Sequence, residues 1–166
     1  MEFPVKSHDV ILLLFEEFNV SRSFVSTVAQ WLDFPPEPIS GFSTKLLRID
    51  HGNIEFMLIC TAGEARCAAI LTICMDSFSF AETGFSRRAL KQLFREIDCE
   101  EKYALFASSG IVAGMRNSGK YDHLFPFAKL RDYFASSGSL RGKFIAEAID
   151  SIETCAVVLF RGTVCR

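Results

Sequence analysis

The chain lacks the features that mark several common classes of protein. Its 18 Lys and Arg residues are outnumbered by 20 Asp and Glu residues, which gives a net charge of −2. A general nucleic-acid binder needs a basic face, so we expect no nucleic-acid partner. No apolar run reaches the roughly 18 residues that cross a bilayer. The run at residues 10–15 is followed by Glu16 and Glu17 and lacks a signal-peptide cleavage site, so we expect a cytoplasmic protein without stable membrane insertion.

Metal and nucleophile motifs are also missing. His8, His51 and His123 show neither the HExxH nor the CxxC spacing of a zinc site. The cysteines are Cys60, Cys67, Cys74, Cys99, Cys155 and Cys165. Apolar surroundings disfavour the thiolate form of the cysteines that lie inside apolar segments. A cytoplasmic chain also keeps its thiols reduced. We therefore predict free, buried thiols, no metal and no cofactor.

The acidic side chains offer no clear acid–base pair. Asp50, Glu55, Glu64 and Asp76 fall at turns and on one strand face, a placement typical of a solvated surface. Without a catalytic motif, the sequence predicts a protein that is not an enzyme. A thiol nucleophile activated by a His is the enzymatic alternative.

Residues 44–76 form the centre of the predicted fold, as a meander of three antiparallel strands. Side chains in residues 54–60 alternate between two faces, as they do in a strand. Residues 50–53 and 61–64 are the predicted turns. The third strand, residues 67–75, is almost wholly apolar, so we expect it to be covered on both faces.

Two helical segments precede the meander. Ser7 can cap the first, whose apolar side chains cover nearly all of its circumference. Such a helix needs partners on more than one side. The second segment covers residues 24–32 and ends before Pro35, Pro36 and Pro38.

Helices and strands alternate after the meander. The predicted elements are a helix capped by Ser86, a hairpin of Tyr103–Ala107 and residues 111–115, a short helix after Pro126, a helix over residues 139–152 and a strand at residues 155–160. The sequence therefore predicts one α+β domain, residues 1–166. Its antiparallel sheet, the meander plus the hairpin, is flanked by helices.

This order of helix, three-strand meander, amphipathic helix, hairpin and helix resembles the class I type III secretion chaperones, the group that includes the Tir chaperone. The resemblance spans residues 7–152 and includes size and mild acidity. The segment at residues 24–38 and the strand at residues 155–160 are additions to the simplest form of that fold.

The resemblance implies a homodimer without ATPase activity that holds the N-terminal region of a secreted effector in extended form for type III secretion. Part of the cargo would add as a strand to a sheet edge. Three alternatives remain open. They are a regulator of the same fold, resembling the sensory-transduction-regulator family, a subunit of a larger assembly, and a small thiol-dependent enzyme.

The 17 Phe residues suggest that some rings lie outside the core, where apolar groups mark a binding surface. The predicted partner-binding residues are Leu12, Phe15, Phe18, Leu47, Ile49, Phe56 and Leu58. All seven fit a core position as well. The predicted dimer interface, implied by the resemblance, consists of Leu90, Leu93, Phe94 and Ile97. The same stripe fits equally well against the sheet of its own subunit.

Overall fold

The computed structural model describes residues 6–75 and 87–160, and for residues 154–160 it describes the backbone alone. The helices are α1 (Ser7–Val20), α2 (Arg22–Trp31), α3 (Arg87–Glu96), α4 (Ser109–Met115), α5 (Phe127–Ser136) and α6 (Leu140–Phe160). The strands are β1 (Gly41–Asp50), β2 (Asn53–Ala62), β3 (Ala65–Cys74), β4 (Tyr103–Ala107) and β5 (His123–Pro126). The α+β class predicted from the sequence is confirmed. The predicted cap at Ser86 lies outside the described residues.

The strands form one sheet in the order β1-β2-β3-β4-β5. The meander is confirmed, because β1 pairs antiparallel with β2, and β2 pairs antiparallel with β3. However, β4 runs parallel to β3, and β5 runs parallel to β4. The sheet is therefore mixed rather than antiparallel throughout.

The predicted second hairpin is wrong, because residues 111–115 are helical. Ser108 acts as an N-cap, since its side chain accepts a hydrogen bond from the Ile111 amide at 3.4 Å. The resulting helix, α4, carries the chain back so that β5 can pair in parallel. A Ser-Ser-Gly stretch suits a helix cap as well as a turn, and an apolar run this short fits either element.

The predicted terminal strand is also wrong. The last helix does not stop near Ile152 but continues to Phe160 as part of α6. The apolar residues at 155–160 favour a strand by composition, but α6 has already formed several turns before it reaches them. Extending an existing helix adds one hydrogen bond for each residue that is fixed, which a new strand gains only with a partner strand.

The sheet carries apolar side chains on both faces, and each face has its own helices. On one face, α1, α2, α5 and α6 cover a core that includes Phe56, Leu71 and Phe106. On the other face, α3 packs over Met57 and Ile70. We call these the α1 face and the α3 face. The abundant Phe residues are explained mainly by the α1 face, where rings from helices and strands contact one another.

Candidate functional site

The predicted partner-binding residues do not form one surface. Phe18, Phe56 and Leu58 each have 0% exposure and belong to the core of the α1 face, so no partner can contact them in this fold. Leu47 is half-buried and packs on the α3 face. A contiguous apolar stripe on a helix or strand is most often core, and these four residues follow that rule.

The remaining predicted residues lie along one margin of the sheet. Hydrogen bonds at both ends fix α1 alongside β1: Thr44 Oγ1 donates to Asn19 Oδ1 at 2.5 Å, and His8 Nδ1 lies 2.6 Å from the His51 carbonyl oxygen. Helix residues spaced by three or four share a face, so His8, Leu12, Phe15 and Asn19 form one stripe above β1.

Leu46 joins this margin although the sequence reading missed it. Leu46 pairs with Phe56 and Ile49 pairs with Ile54, so both side chains lie on the α1 face between the two anchoring hydrogen bonds. We call Leu12, Phe15, Leu46 and Ile49 the β1 margin. Leu12, Leu46 and Ile49 are 45%, 47% and 37% exposed, which is high for large apolar side chains. Phe15 is half-buried, and the centroid of its ring lies 5.1 Å from the centroid of the Phe56 ring.

A β-bulge explains why Leu46 was missed. The register of β1 against β2 shifts between Leu46 and Arg48, so Leu47 is an extra residue in the strand. Strict alternation from Leu47 and Ile49 puts these two residues on one face and Leu46 on the other. The bulge reverses this pattern, because it sends Leu47 to the α3 face and brings Leu46 beside Ile49.

The backbone of β1 completes the site. This strand is the end of the sheet, and no backbone hydrogen bond from residues 6–75 or 87–160 joins its outer edge to another strand. A two-residue turn makes Asp50 and Asn53 the closing pair of the β1–β2 hairpin. Hydrogen-bonded and non-bonded pairs alternate from a bonded closing pair. The amides that point away from β2 are therefore those of Phe42, Thr44, Leu46 and Ile49.

The predicted dimer stripe on α3 packs on its own sheet instead. Leu90 and Phe94 are buried against the α3 face, and Leu93 and Ile97 are half-buried in the same cluster. Leu90 and Phe94 are therefore not accessible to a second protomer in this fold, and an interface at the half-buried Leu93 and Ile97 stays a prediction. The periodicity correctly identified an amphipathic helix, but it could not show which surface the helix covers.

Glu55 is also placed differently from the sequence reading. It is only 5% exposed on the α3 face, not solvated, and accepts a hydrogen bond from Thr72 Oγ1 at 3.1 Å. Tyr121 lies beside this pair, and burial, followed by the Glu55 charge, raises the pKa of its hydroxyl. The Arg87 guanidinium lies 5.7 Å from the centre of the Tyr121 ring and 3.6 Å from the centre of the Tyr103 ring. Glu55 therefore has a hydrogen-bond partner within the fold.

The thiols of Cys60 and Cys67 lack the properties of an activated nucleophile. Cys60 and Cys67 face each other across β2 and β3 and line a cavity of about 110 Å³ beside the proline segment. Burial, and secondarily the neighbouring Cys67, raises the pKa of Cys60 to about 12. Two histidines lie beside carboxylates rather than beside these thiols. His123 Nε2 is 3.8 Å from Asp33 Oδ2, and His51 Nε2 is 3.5 Å from Asp50 Oδ1.

We predict that Cys60 resists alkylation in the folded protein. A pKa near 12 leaves almost no thiolate at neutral pH, and the side chain is only 4% exposed. Iodoacetamide at neutral pH, followed by peptide mass analysis, should label Cys60 in urea but not in buffer. Since unfolding restores an ordinary thiol pKa, stability should fall as the pH rises from about 9 towards 12. Rapid labelling of native Cys60 would contradict this environment.

No family model, curated protein or solved structure matches the chain. The site must therefore be interpreted from its own geometry. Within residues 6–75 and 87–160, no helix is long and apolar enough to cross a membrane. The same described residues contain no group of three or more His, Cys, Asp or Glu side chains arranged to hold a metal ion. The β1 margin and the adjacent strand edge are the surface that best fits a binding role.

Proposed function

We propose that this is a non-enzymatic binding protein that holds an extended segment of another protein along the outer edge of β1. The observation that carries the proposal is the coincidence of two features on one edge. Backbone amides point outward from a ten-residue strand, and exposed apolar side chains of the β1 margin lie next to them. Strand addition uses both, since the backbone supplies hydrogen bonds and the side chains supply apolar contacts.

The chemistry of the edge favours a particular kind of segment. On the α1 face, an added strand meets Leu12, Leu46 and Ile49, so its side chains on that face should be apolar. On the α3 face it meets the exposed side chains of Lys45 and Asp50, so its side chains there should be polar or charged. A sequence that alternates apolar and polar residues on each side of the bulge meets both requirements, and at the bulge itself the segment must depart from regular spacing.

The resemblance to class I type III secretion chaperones supplies the biological setting of the proposal. In that setting the bound segment is the N-terminal region of a secreted effector, the protein acts in the cytoplasm, and no nucleotide is hydrolysed. Support comes from the first half of the fold, where helix, three-strand meander and amphipathic helix follow in the expected order. The second half gives no such support, because a helix replaces one strand of the expected hairpin.

A charge at the β1 margin should abolish binding without unfolding the protein. Partners captured by the tagged chain from cells that naturally produce it would be identified by mass spectrometry, and their N-terminal segments would be prepared separately. We expect Leu46→Asp to weaken binding of such a segment at least about tenfold, because a carboxylate would be buried against apolar side chains.

The matched control is Leu140→Asp, which changes a leucine of 86% exposure on α6. Both variants should melt like the wild type, because neither position is buried. Equal binding by the two variants would show that the β1 margin is not the site. A captured partner that binds through a folded domain, with no affinity in its isolated N-terminal segment, would refute the proposed mode of binding.

A further inference from the structure

The bulge gives the outer edge of β1 an internal symmetry. Residues three positions apart in a regular strand point to opposite faces. Leu46 and Ile49 nevertheless share the α1 face, because Leu47 is an extra residue between Leu46 and Arg48. For the same reason, both amides point outward. The two sides of the bulge are therefore equivalent. On each side lies one residue, Leu46 or Ile49, whose side chain is on the α1 face and whose amide points away from β2.

An antiparallel partner strand places residues of the same face opposite each other. A two-fold axis between Leu47 and Arg48 sets Leu46 of one copy against Ile49 of a second copy, and the pair occurs twice. A bulge ordinarily protects an edge, because its irregular spacing does not match a regular partner. A second copy carries the same irregularity at the same place, so the mismatch disappears.

The charges on the other face agree with this register. The same axis sets Lys45 of one copy against Asp50 of the second copy, and this pair also occurs twice. Both side chains lie on the α3 face, because Lys45 pairs with Met57 and Asp50 pairs with Asn53. Both are exposed within the described residues. This register therefore opposes unlike charges at two places related by the axis, which favours a second copy as the partner strand.

We propose that a second copy of this chain occupies the outer edge of β1 through this two-fold pairing when no partner segment is bound. The pairing joins two five-stranded sheets into one and buries the β1 margins next to each other. The proposal rests on the proposed function in one respect, since the second copy and a partner segment compete for one edge. Self-pairing then protects an apolar edge until a partner segment displaces it.

Charge exchange tests the register directly. Sedimentation velocity of the full chain at micromolar concentrations should show a dimer. Lys45→Asp and Asp50→Lys should each weaken dimerisation about tenfold, because like charges then oppose each other twice. The double variant Lys45→Asp/Asp50→Lys should dimerise about as well as the wild type. A structural effect of either substitution would not be rescued in this way.

Several results would overturn the pairing: a wild-type monomer throughout the micromolar range, single variants that dimerise normally, or a double variant weaker than either single one. Binding of the captured N-terminal segment separates this inference from the proposed function. A wild-type monomer that binds the segment overturns self-pairing alone. The opposite result is also possible: the double variant restores the dimer, but the segment binds neither the wild type nor the Lys45→Asp variant, whose β1 edge is free. That result overturns the proposed function alone.

Discussion

Replacing Phe56 by alanine is expected to lower the free energy of unfolding by about 3–5 kcal/mol. The ring has 0% exposure and lies 5.1 Å from the Phe15 ring and 5.0 Å from the Phe18 ring, measured between centroids. Truncation removes the transfer free energy of the side chain and leaves a cavity beneath α1. Urea denaturation followed by circular dichroism would measure the change.

Phe144→Ala is the matched control for this prediction. Phe144 lies on α6 and is 51% exposed, so losing its ring should change the free energy of unfolding by no more than about 0.5 kcal/mol. A loss below about 1 kcal/mol for Phe56→Ala would mean that its ring is not part of the core. Phe56 would then return to the set of candidate binding residues from which burial has removed it.

Replacing Gly142 by alanine should destabilise the protein by about 1–3 kcal/mol, although alanine is the better helix former. Gly142 is buried at the start of α6, where the chain turns from α5. A Cβ atom there would collide with Ser137 Oγ and lie 2.7 Å from the Phe134 carbonyl oxygen. The serine side chain can rotate, but the carbonyl group moves only with the backbone of α5.

Gly114→Ala in α4 provides the control of opposite sign. Apart from the chain neighbours of Gly114 and the backbone of α4 itself, no heavy atom of the described residues lies within 4 Å of a Cβ built there. The substitution should therefore stabilise the protein by up to about 1 kcal/mol through helix propensity. Thermal melting of the two variants beside the wild type would measure both effects. A Gly142→Ala variant as stable as Gly114→Ala would show that α5 and α6 do not approach as closely as described.

The meander could be predicted because each of its strands carries a strong local signal. Alternation in residues 53–62 and the short turns on either side of them are local properties, and β2 and β3 follow them. The stripe on α3 likewise identified a helix. Its packing partner is a non-local property, and the sequence allowed either the sheet of its own chain or a second protomer.

The parts that failed are those where short apolar runs fit two structures. Residues 111–115 and 155–160 have strand-like composition, but in both cases the preceding turn or helix determined the outcome. The candidate site was predicted only in part, for a different reason. The bulge at Leu47 interrupts the alternation of faces along β1, so strict alternation assigns the residues on one side of it to the wrong face. No residue type in that stretch predicts a bulge. Leu46 could therefore be identified as a site residue only from the register of β1 against β2.

The most direct test of the central claim, that the outer edge of β1 binds protein segments, is amide hydrogen exchange measured residue by residue by NMR. The outward amides of Phe42, Thr44, Leu46 and Ile49 would be compared in dilute protein with and without a saturating amount of the captured N-terminal segment. We predict that these amides become at least about tenfold more protected, while amides that already bond to β2 change little. A bound segment that leaves the outward amides unprotected, and protects another surface instead, would contradict the claim.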